Sequence, residues 1–540
     1  MSMKFHFVWW EKLILLCGII LIIGGIIGLS TGQIQKLYDI KPKGGVYTES
    51  INGRLGALDP IFSIPGTVEY EILSLVFSGL LKYDANTGKY VGDIASSFEI
   101  SEDLKEYTFY IKEELKWHDG QNLNIDDVEY TYNFLKNQDI GSIWYKTFAN
   151  VDFEVNKEYN SIKFKIKQTD RLFIQTFVAP ILPQHLLEPI SIEQIKNGFF
   201  ASFPIGSGKF KLIDVSRLKK RDRVELLYFS NYYEEEKPNI SLINFEFFED
   251  ISLAGTSSAF RSTTEKERYE KYSMDLPRYR TLFFNVESDV LRPTSSRRGL
   301  YYATQLMSKE INDTNPMLDV FIKEEEHDNT EDYINSHTKE ESESKIKELF
   351  YNSGWQLYSK EFDDSIRRNS SREKIELRLL TLKTPELEKQ AEYLKQFIEK
   401  FGVVVKIGAF NWTELYRDFI QYGKYDLLIL NMETGYGNDM YKYLHSLQKN
   451  DFSYGRNFSQ FANIDFDLLL EDVRLSQTEE RLDKVLYELE KRYDQFIPFV
   501  HVEKETYDYY IYDNIKGVNM PKNALSPQDR FMNFNEMYFE

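Results

Sequence analysis

One cysteine among 540 residues, Cys17, excludes a disulfide framework and any cysteine-based zinc site. Histidine is nearly as scarce. Its seven copies form no His-x-x-x-His pair and no glutamate-flanked zinc motif, so metal catalysis is disfavoured. Basic residues are the minority charge: 66 Lys and Arg stand against 85 Asp and Glu, for a net charge of -19. No basic cluster reaches the density that a phosphate backbone needs, and no nucleic-acid partner is expected. Ile205-Gly206-Ser207-Gly208-Lys209-Phe210 lacks the Gly-x-x-x-x-Gly-Lys-Ser/Thr spacing of a phosphate loop. Ser207 has glycine on both sides, so it is not the serine of a Gly-x-Ser-x-Gly elbow. Acids are plentiful, but sequence alone does not set the separation that a pair of glycosidase carboxylates requires. The chain is therefore expected to be no enzyme and to need no cofactor.

What is present is a large globular chain, 42% hydrophobic and 28% charged, with enough length for three or four domain-sized units. Aromatics make up 15%, with 37 Tyr and 39 Phe, which supply packing surface and side-chain-tolerant walls. Near the start, Leu13 to Leu29 reads LILLCGIILIIGGIIGL without a charge, long for a cleaved h-region and at the short limit for a spanning helix. Lys4 and Lys12 precede it. Residues 1–12 are thus expected in the cytoplasm, 13–29 as a transmembrane signal anchor, 30–43 as a stalk, and the body outside the cell membrane or in the periplasm. Gly28 and Ser30 offer a cleavage site for the alternative, a secreted body. Leu16 before Cys17 argues against a lipoprotein.

Apolar runs at Thr108–Lys112, Ile162–Ile166, Val224–Leu227 and Ile243–Phe247 read as strands. From Ile375 to Asn431 the pattern is strand, helix, strand, helix, strand. Thr384 caps the first of these helices, Pro385 fits its first turn, and Leu387, Ala391, Leu394, Ile398 and Phe401 make one apolar stripe. Such β-α-β units bind ligands beyond the carboxyl ends of their strands, here at Leu430-Asn431-Met432-Glu433. The polar segment from Glu310 to Arg372 reads as loops and exposed helices. Leu115-Lys116-Trp117-His118-Asp119-Gly120-Gln121-Asn122-Leu123-Asn124 reads as a strand, an Asp-Gly turn and an Asn124 cap, a structural device more than a ligand site for His118 and Asp119.

That last phrase resembles the signature of the extracellular solute-binding proteins, family 5, which serve ABC importers of oligopeptides and dipeptides. Leu58-Asp59-Pro60, Leu75-Val76-Phe77-Ser78-Gly79-Leu80-Leu81, Gly206-Ser207-Gly208-Lys209-Phe210, Leu282-Phe283-Phe284-Asn285 and Gly423-Lys424-Tyr425-Asp426 resemble further family elements in the same order. The resemblance implies an α/β bilobal periplasmic-binding-protein-like clamshell of class II with an inserted extra subdomain. Lobe 1 would be 44–84, 204–277 and 498–540, the inserted subdomain 85–203, and lobe 2 278–497. The function it implies is capture of a peptide ligand for an ABC permease and its ATPase, by a monomer. A sensing or scaffold role on the same fold, or a non-peptide solute, is the alternative.

By position relative to family motifs, Phe62, Ser63 and Ile64 would form a strand that pairs with ligand backbone. Trp144 and Tyr145 would face the cleft from the inserted subdomain, with Tyr279 at the hinge and Met432, Glu433 and Tyr436 on the lobe 2 loop. The family aspartate that holds a ligand ammonium falls near Gly435, and its tryptophan neighbour is absent. Glu433 and Asp439 are the candidate substitutes.

Overall fold

Alternation of apolar and polar residues sets the principal strands, and ten of them join into one mixed sheet. In a computed structural model the described residues are 44–540 apart from 251–253, 255–256, 262–266, 313–332, 359, 363 and 450–455. The expected anchor at 13–29, Cys17 and the stalk at 30–43 lie outside them. Among the described residues no helix is long and apolar enough to cross a membrane.

The sheet strands are β1 (Val46–Asn52), β2 (Phe210–Arg217), β3 (Arg221–Tyr228), β4 (Leu242–Phe248), β5 (Ala259–Arg261), β6 (Tyr269–Phe284), β7 (Glu376–Leu382), β8 (Val404–Phe410), β9 (Leu427–Glu433) and β10 (Phe499–Tyr512). Their spatial order is β8-β7-β9-β6-β10-β5-β1-β4-β3-β2. The β-α-β-α-β passage forms as expected: β7 lies parallel to both β8 and β9, joined through helices Pro385–Glu399 and Trp412–Asp418. The Thr384 hydroxyl accepts the Leu387 amide at the first helix's start, and Leu387, Ala391, Leu394 and Ile398 are buried along its inner face.

Only β6 and β10 run through both halves of the molecule. They pair in regular antiparallel register up to Asp275 opposite Thr506, then resume at Tyr279 opposite Lys504. Leu276, Pro277 and Arg278 are left out of the ladder on one strand and Glu505 on the other, an irregularity to which Pro277 contributes by having no N–H to donate. The packing changes at the same place. Leu276 and Tyr507 belong to one apolar core, while Leu282 and Val502 belong to another. The first core serves lobe 1 and the inserted subdomain together. It includes the four-stranded antiparallel sheet of Ala95–Ile100, Glu106–Ile111, Ser161–Lys165 and Asp152–Asn156.

The Asp-Gly passage is structural, as read. Trp117 is fully buried, the Asn124 carbonyl oxygen accepts the Asp126 amide at 2.7 Å, and Asp127 returns the bond to the Asn124 amide. His118 shares a 2.9 Å bond between Nε2 and the Gly208 carbonyl. The glycines of the 206–208 turn are required by close approach: a Cβ on Gly206 would stand 2.0 Å from the Val76 carbonyl, and one on Gly208 would stand 2.6 Å from that of Leu75.

The polar segment from Glu310 to Arg372 departs from its expected surface role. Helix Lys339–Asn352 buries Ile346, Leu349 and Phe350, and Phe350 stacks on Trp355 at 5.0 Å. Arg367 is buried too, donating to the carbonyls of Phe401 and Trp355, both at 2.7 Å. Its apolar residues are few but share one helical face, which average polarity conceals.

The C-terminal segment closes lobe 1 with a buried charge cluster. Arg530 is 1% exposed and donates to Glu49 on β1 at 2.7 Å and to Glu71 on helix Val68–Val76 at 2.6 Å. Tyr509 on β10 donates to the same Glu49, and Tyr47 bonds Tyr509 at 2.6 Å. Burial pushes the Glu49 carboxyl up, against the pull of the Arg530 guanidinium. Arg530→Ala, which leaves two carboxylates buried without a cation, is expected to cost about 3–5 kcal/mol. Denaturant unfolding measures it; adding Glu49→Gln and Glu71→Gln in the same chain should recover most of the loss.

Candidate ligand site between the lobes

Strand β9 is buried on both sides as far as Leu430, because helices cover one face and the second lobe 2 core covers the other. Asn431 and Glu433 continue the face of Leu427 and Ile429 past the helical cover, at the carboxyl end where a crevice is expected. Glu433 forms an ion pair with Arg278 and keeps 42% of its side chain exposed. Arg278 also reaches Glu505 at 3.5 Å, so the three residues displaced from or flanking the irregular pairing share one charge cluster. Asn431 and Arg261 each approach the same Glu505 carboxylate at 3.5 Å.

Lobe 1 meets this cluster through its 60–67 turn. A Cβ on Gly66 would lie 3.8 Å from the Arg278 guanidinium. Asp59 builds the turn by accepting the Ile61 amide on its carboxylate and the Ser63 amide on its carbonyl, both at 2.9 Å. Phe62 therefore lies in a turn and Ser63 and Ile64 in the irregular stretch after it, not in the strand that the family pattern suggests, because Asp59 takes up the Ile61, Phe62 and Ser63 amides. Ile64 is 64% exposed. The inserted subdomain joins the same turn: the Ile143 amide donates to the Ile61 carbonyl at 3.3 Å, which sets Trp144 and Tyr145 beside it. Trp144 packs on the lobe 1 core, with its indole Nε1 buried and unpaired.

Tyr279 lies where regular pairing resumes and stacks on His501 at 4.4 Å. Met432 does not reach the crevice. It follows Leu428 and Leu430 on the inner face and is fully buried in the second lobe 2 core, a direction that strand alternation requires. Tyr436 crosses to lobe 1, its ring 4.8 Å from Tyr90 and 6.2 Å from Tyr83 in edge-to-face geometry. Asp439 is committed to Arg474 at 2.6 Å.

Further contacts bring the inserted subdomain onto lobe 2. The Arg171 amide donates to the Arg474 carbonyl, and the Arg171 side chain pairs with Glu479, both at 2.9 Å. A Cβ on Gly437 would come within 2.6 Å of Leu172. Arg278, Glu505, Tyr83, Tyr90 and Arg171 were absent from the sequence-derived set. The signal for Arg278 is its place next to Pro277; Glu505, Tyr83, Tyr90 and Arg171 carry no local signal.

His501 is fully buried, with Nδ1 bonded to the Thr281 hydroxyl at 2.8 Å, and burial pushes it down to about 3. Its folded form stays neutral while the unfolded chain takes up a proton near pH 6.5, so its stabilising effect is complete above about pH 6.5 and is lost as pH falls toward 3. Buried acids such as Glu49 and Asp93, whose carboxyls burial raises, act in the opposite sense. Between pH 6 and 4, His501→Phe should therefore show a stability slope shallower than the parent by about 1.4 kcal/mol per pH unit, measured by denaturant unfolding.

Comparison with known proteins identifies the family. Residues 89–454 match the family model described as "Bacterial extracellular solute-binding proteins, family 5 Middle". A Brucella ovis protein named as an ABC transporter peptide-binding protein is 30% identical over 185 residues, 34% of this chain and 33% of that protein, so the match spans about a third of the relative's length. The oligopeptide-binding protein AppA of Bacillus subtilis is 23% identical over 476 residues, covering 84% of this chain and 83% of AppA. The structure of AppA with a nonapeptide superposes with a TM-score of 0.69 at 18% identity, covering 93% of this chain and 100% of that one. The ABC transporter substrate-binding protein CtaP of Listeria monocytogenes gives 0.73 at 19%, covering 92% and 99%. The chain belongs to the bacterial extracellular solute-binding proteins, family 5.

Proposed function

We propose that the protein is the membrane-tethered extracellular receptor of an ABC importer, capturing peptides between its lobes and handing them to a permease and its ATPase without chemistry of its own. The observation that carries this reading is the meeting of three walls at one place. The lobe 1 segment from Ile61 to Gly66 touches the other two: its Ile61 carbonyl takes the Ile143 amide next to Trp144 and Tyr145, and its Gly66 lies by Arg278 of the Arg278–Glu433 pair. The extent of the match to AppA, a relative named as an oligopeptide-binding protein, supports the ligand class.

Recognition on this reading divides between shape and charge. Aromatic walls at Trp144, Tyr145, Tyr279 and Tyr436 accept varied side chains. The half-exposed Arg278–Glu433 pair presents one charge of each sign to a chain that carries both. With Gly435 at the place of the family aspartate, Glu433 is the carboxylate left to meet an ammonium.

Mass spectrometry of small molecules released from the purified full-length protein is expected to find peptides; their absence, with another solute retained, would replace the ligand class. With a peptide so identified, Glu433→Gln is expected to weaken binding by about 1.5–3 kcal/mol when the amino terminus is free, the range of a charged hydrogen bond. Calorimetry should show little change when that terminus is acetylated. Equal losses for both peptides would assign Glu433 to holding Arg278 alone.

A further inference from the structure

A chamber of about 310 Å³ lies inside lobe 1, away from the hinge strands. Helix Val68–Val76, the hairpin strands Leu81–Asp84 and Lys89–Gly92, and the C-terminal 525–532 segment wall it. Its volume falls at the small end of ligand pockets. Tyr83 and Tyr90 of its wall also meet Tyr436 of the candidate peptide site, but the space itself has no part in the peptide reading.

The lining is chemically lopsided. Tyr70, Tyr83 and Tyr90 supply aromatic surface, and Tyr83 and Tyr90 meet edge to face at 5.3 Å. Asp529 lines the same space. One oxygen of Asp529 accepts the Leu525 amide at 2.7 Å and the Ser526 amide at 3.1 Å, as the cap of the Pro527–Phe531 turn. Among the described residues no lysine or arginine forms an ion pair with Asp529, and the neighbouring Arg530 points to Glu49 and Glu71. Burial raises the Asp529 carboxyl to about 6, against the pull of the Leu525 and Ser526 amides and of the nearby Arg530 charge. Next in the chain, Gln528 has its side-chain carbonyl oxygen buried without a hydrogen-bond partner. At the far wall the two lysines, Lys82 and Lys209, both pair with Glu234. With Asp93 and Asp529, the lining carries three carboxylates against two ammonium groups.

Aromatic surface, a carboxylate without an ion pair and a partnerless carbonyl oxygen are the requirements of an organic cation: the rings attract its charge, the carboxylate neutralises it, and the carbonyl takes an N–H. We propose that this chamber is a second binding site, selective for small organic ammonium ions, with Asp529 as counter-ion, Gln528 as acceptor, and Tyr70, Tyr83 and Tyr90 as the aromatic walls. It is independent of the peptide reading. Tyr436 of lobe 2 rests on the outer side of two of those walls, so an occupant would lie one ring away from the contact between the lobes.

The test is calorimetric titration of the full-length protein with benzylammonium chloride, and with benzyl alcohol and benzoate as controls of similar size. Benzylammonium should bind at least tenfold more tightly than either control. Asp529→Asn, which keeps an oxygen for the Leu525 and Ser526 amides, should abolish that preference. Tyr83→Leu, at a half-exposed hairpin position, should weaken benzylammonium at least fivefold and guards against a folding defect in the first variant. Benzylammonium no tighter than benzyl alcohol, or undiminished in both variants, would overturn the assignment.

Discussion

Two strands carry the whole connection between the lobes in one sheet, and their pairing has to survive any relative movement of the bodies they join. β6 and β10 are 16 and 14 residues long, and their pairing shifts register twice, between Asp275 and Tyr279 and again between Arg280 and Thr281. The first of these shifts releases two side chains, Arg278 and Glu505, from the alternation that would bury or expose them by rule. The same break that lets the lobes share a sheet thus supplies the charges at the foot of the cleft. Hinge and polar site are one feature of the backbone.

The interior of this acidic protein is organised by a few buried cations. Arg530 joins three separate parts of the chain in lobe 1. In lobe 2, Arg297 donates to the Phe496 carbonyl at 2.9 Å and that of Leu291 at 2.6 Å, and Arg367 to those of Phe401 and Trp355. Phe496 ends a helix and Phe401 follows another, so both arginines satisfy carbonyls that helices leave open at their carboxyl ends. Burial lowers Arg297 to about 10, and its charge persists at neutral pH. The guanidinium fork suits this work because it can serve two or three carbonyls from one position.

Local patterns in the sequence were legible where the structure is decided locally. The stripe from Leu387 to Ile398, the Thr384 and Asn124 caps and the alternation in β3 and β4 each depend on residues a few positions apart, and each forms as read. Met432 shows how placement by family motif alone goes astray: Leu428, Leu430 and Met432 share a face, and that period places the methionine in the core while Glu433 turns outward. The course of Phe62–Ile64 depends on Asp59 taking the local amides, a choice that extended spacing does not reveal. Arg530 offered no local sign at all. Its partners stand more than 450 residues away, and only the fold brings them within reach.

That separation orders events during synthesis. Glu49 and Glu71 are translated more than 450 residues before Arg530, the cation that permits their burial. Lobe 2, whose cores draw on residues 282–502, becomes complete while lobe 1 still holds two carboxylates it cannot bury. Burial of these two carboxylates in the half translated first thus waits on a residue that follows every member of the second lobe's cores.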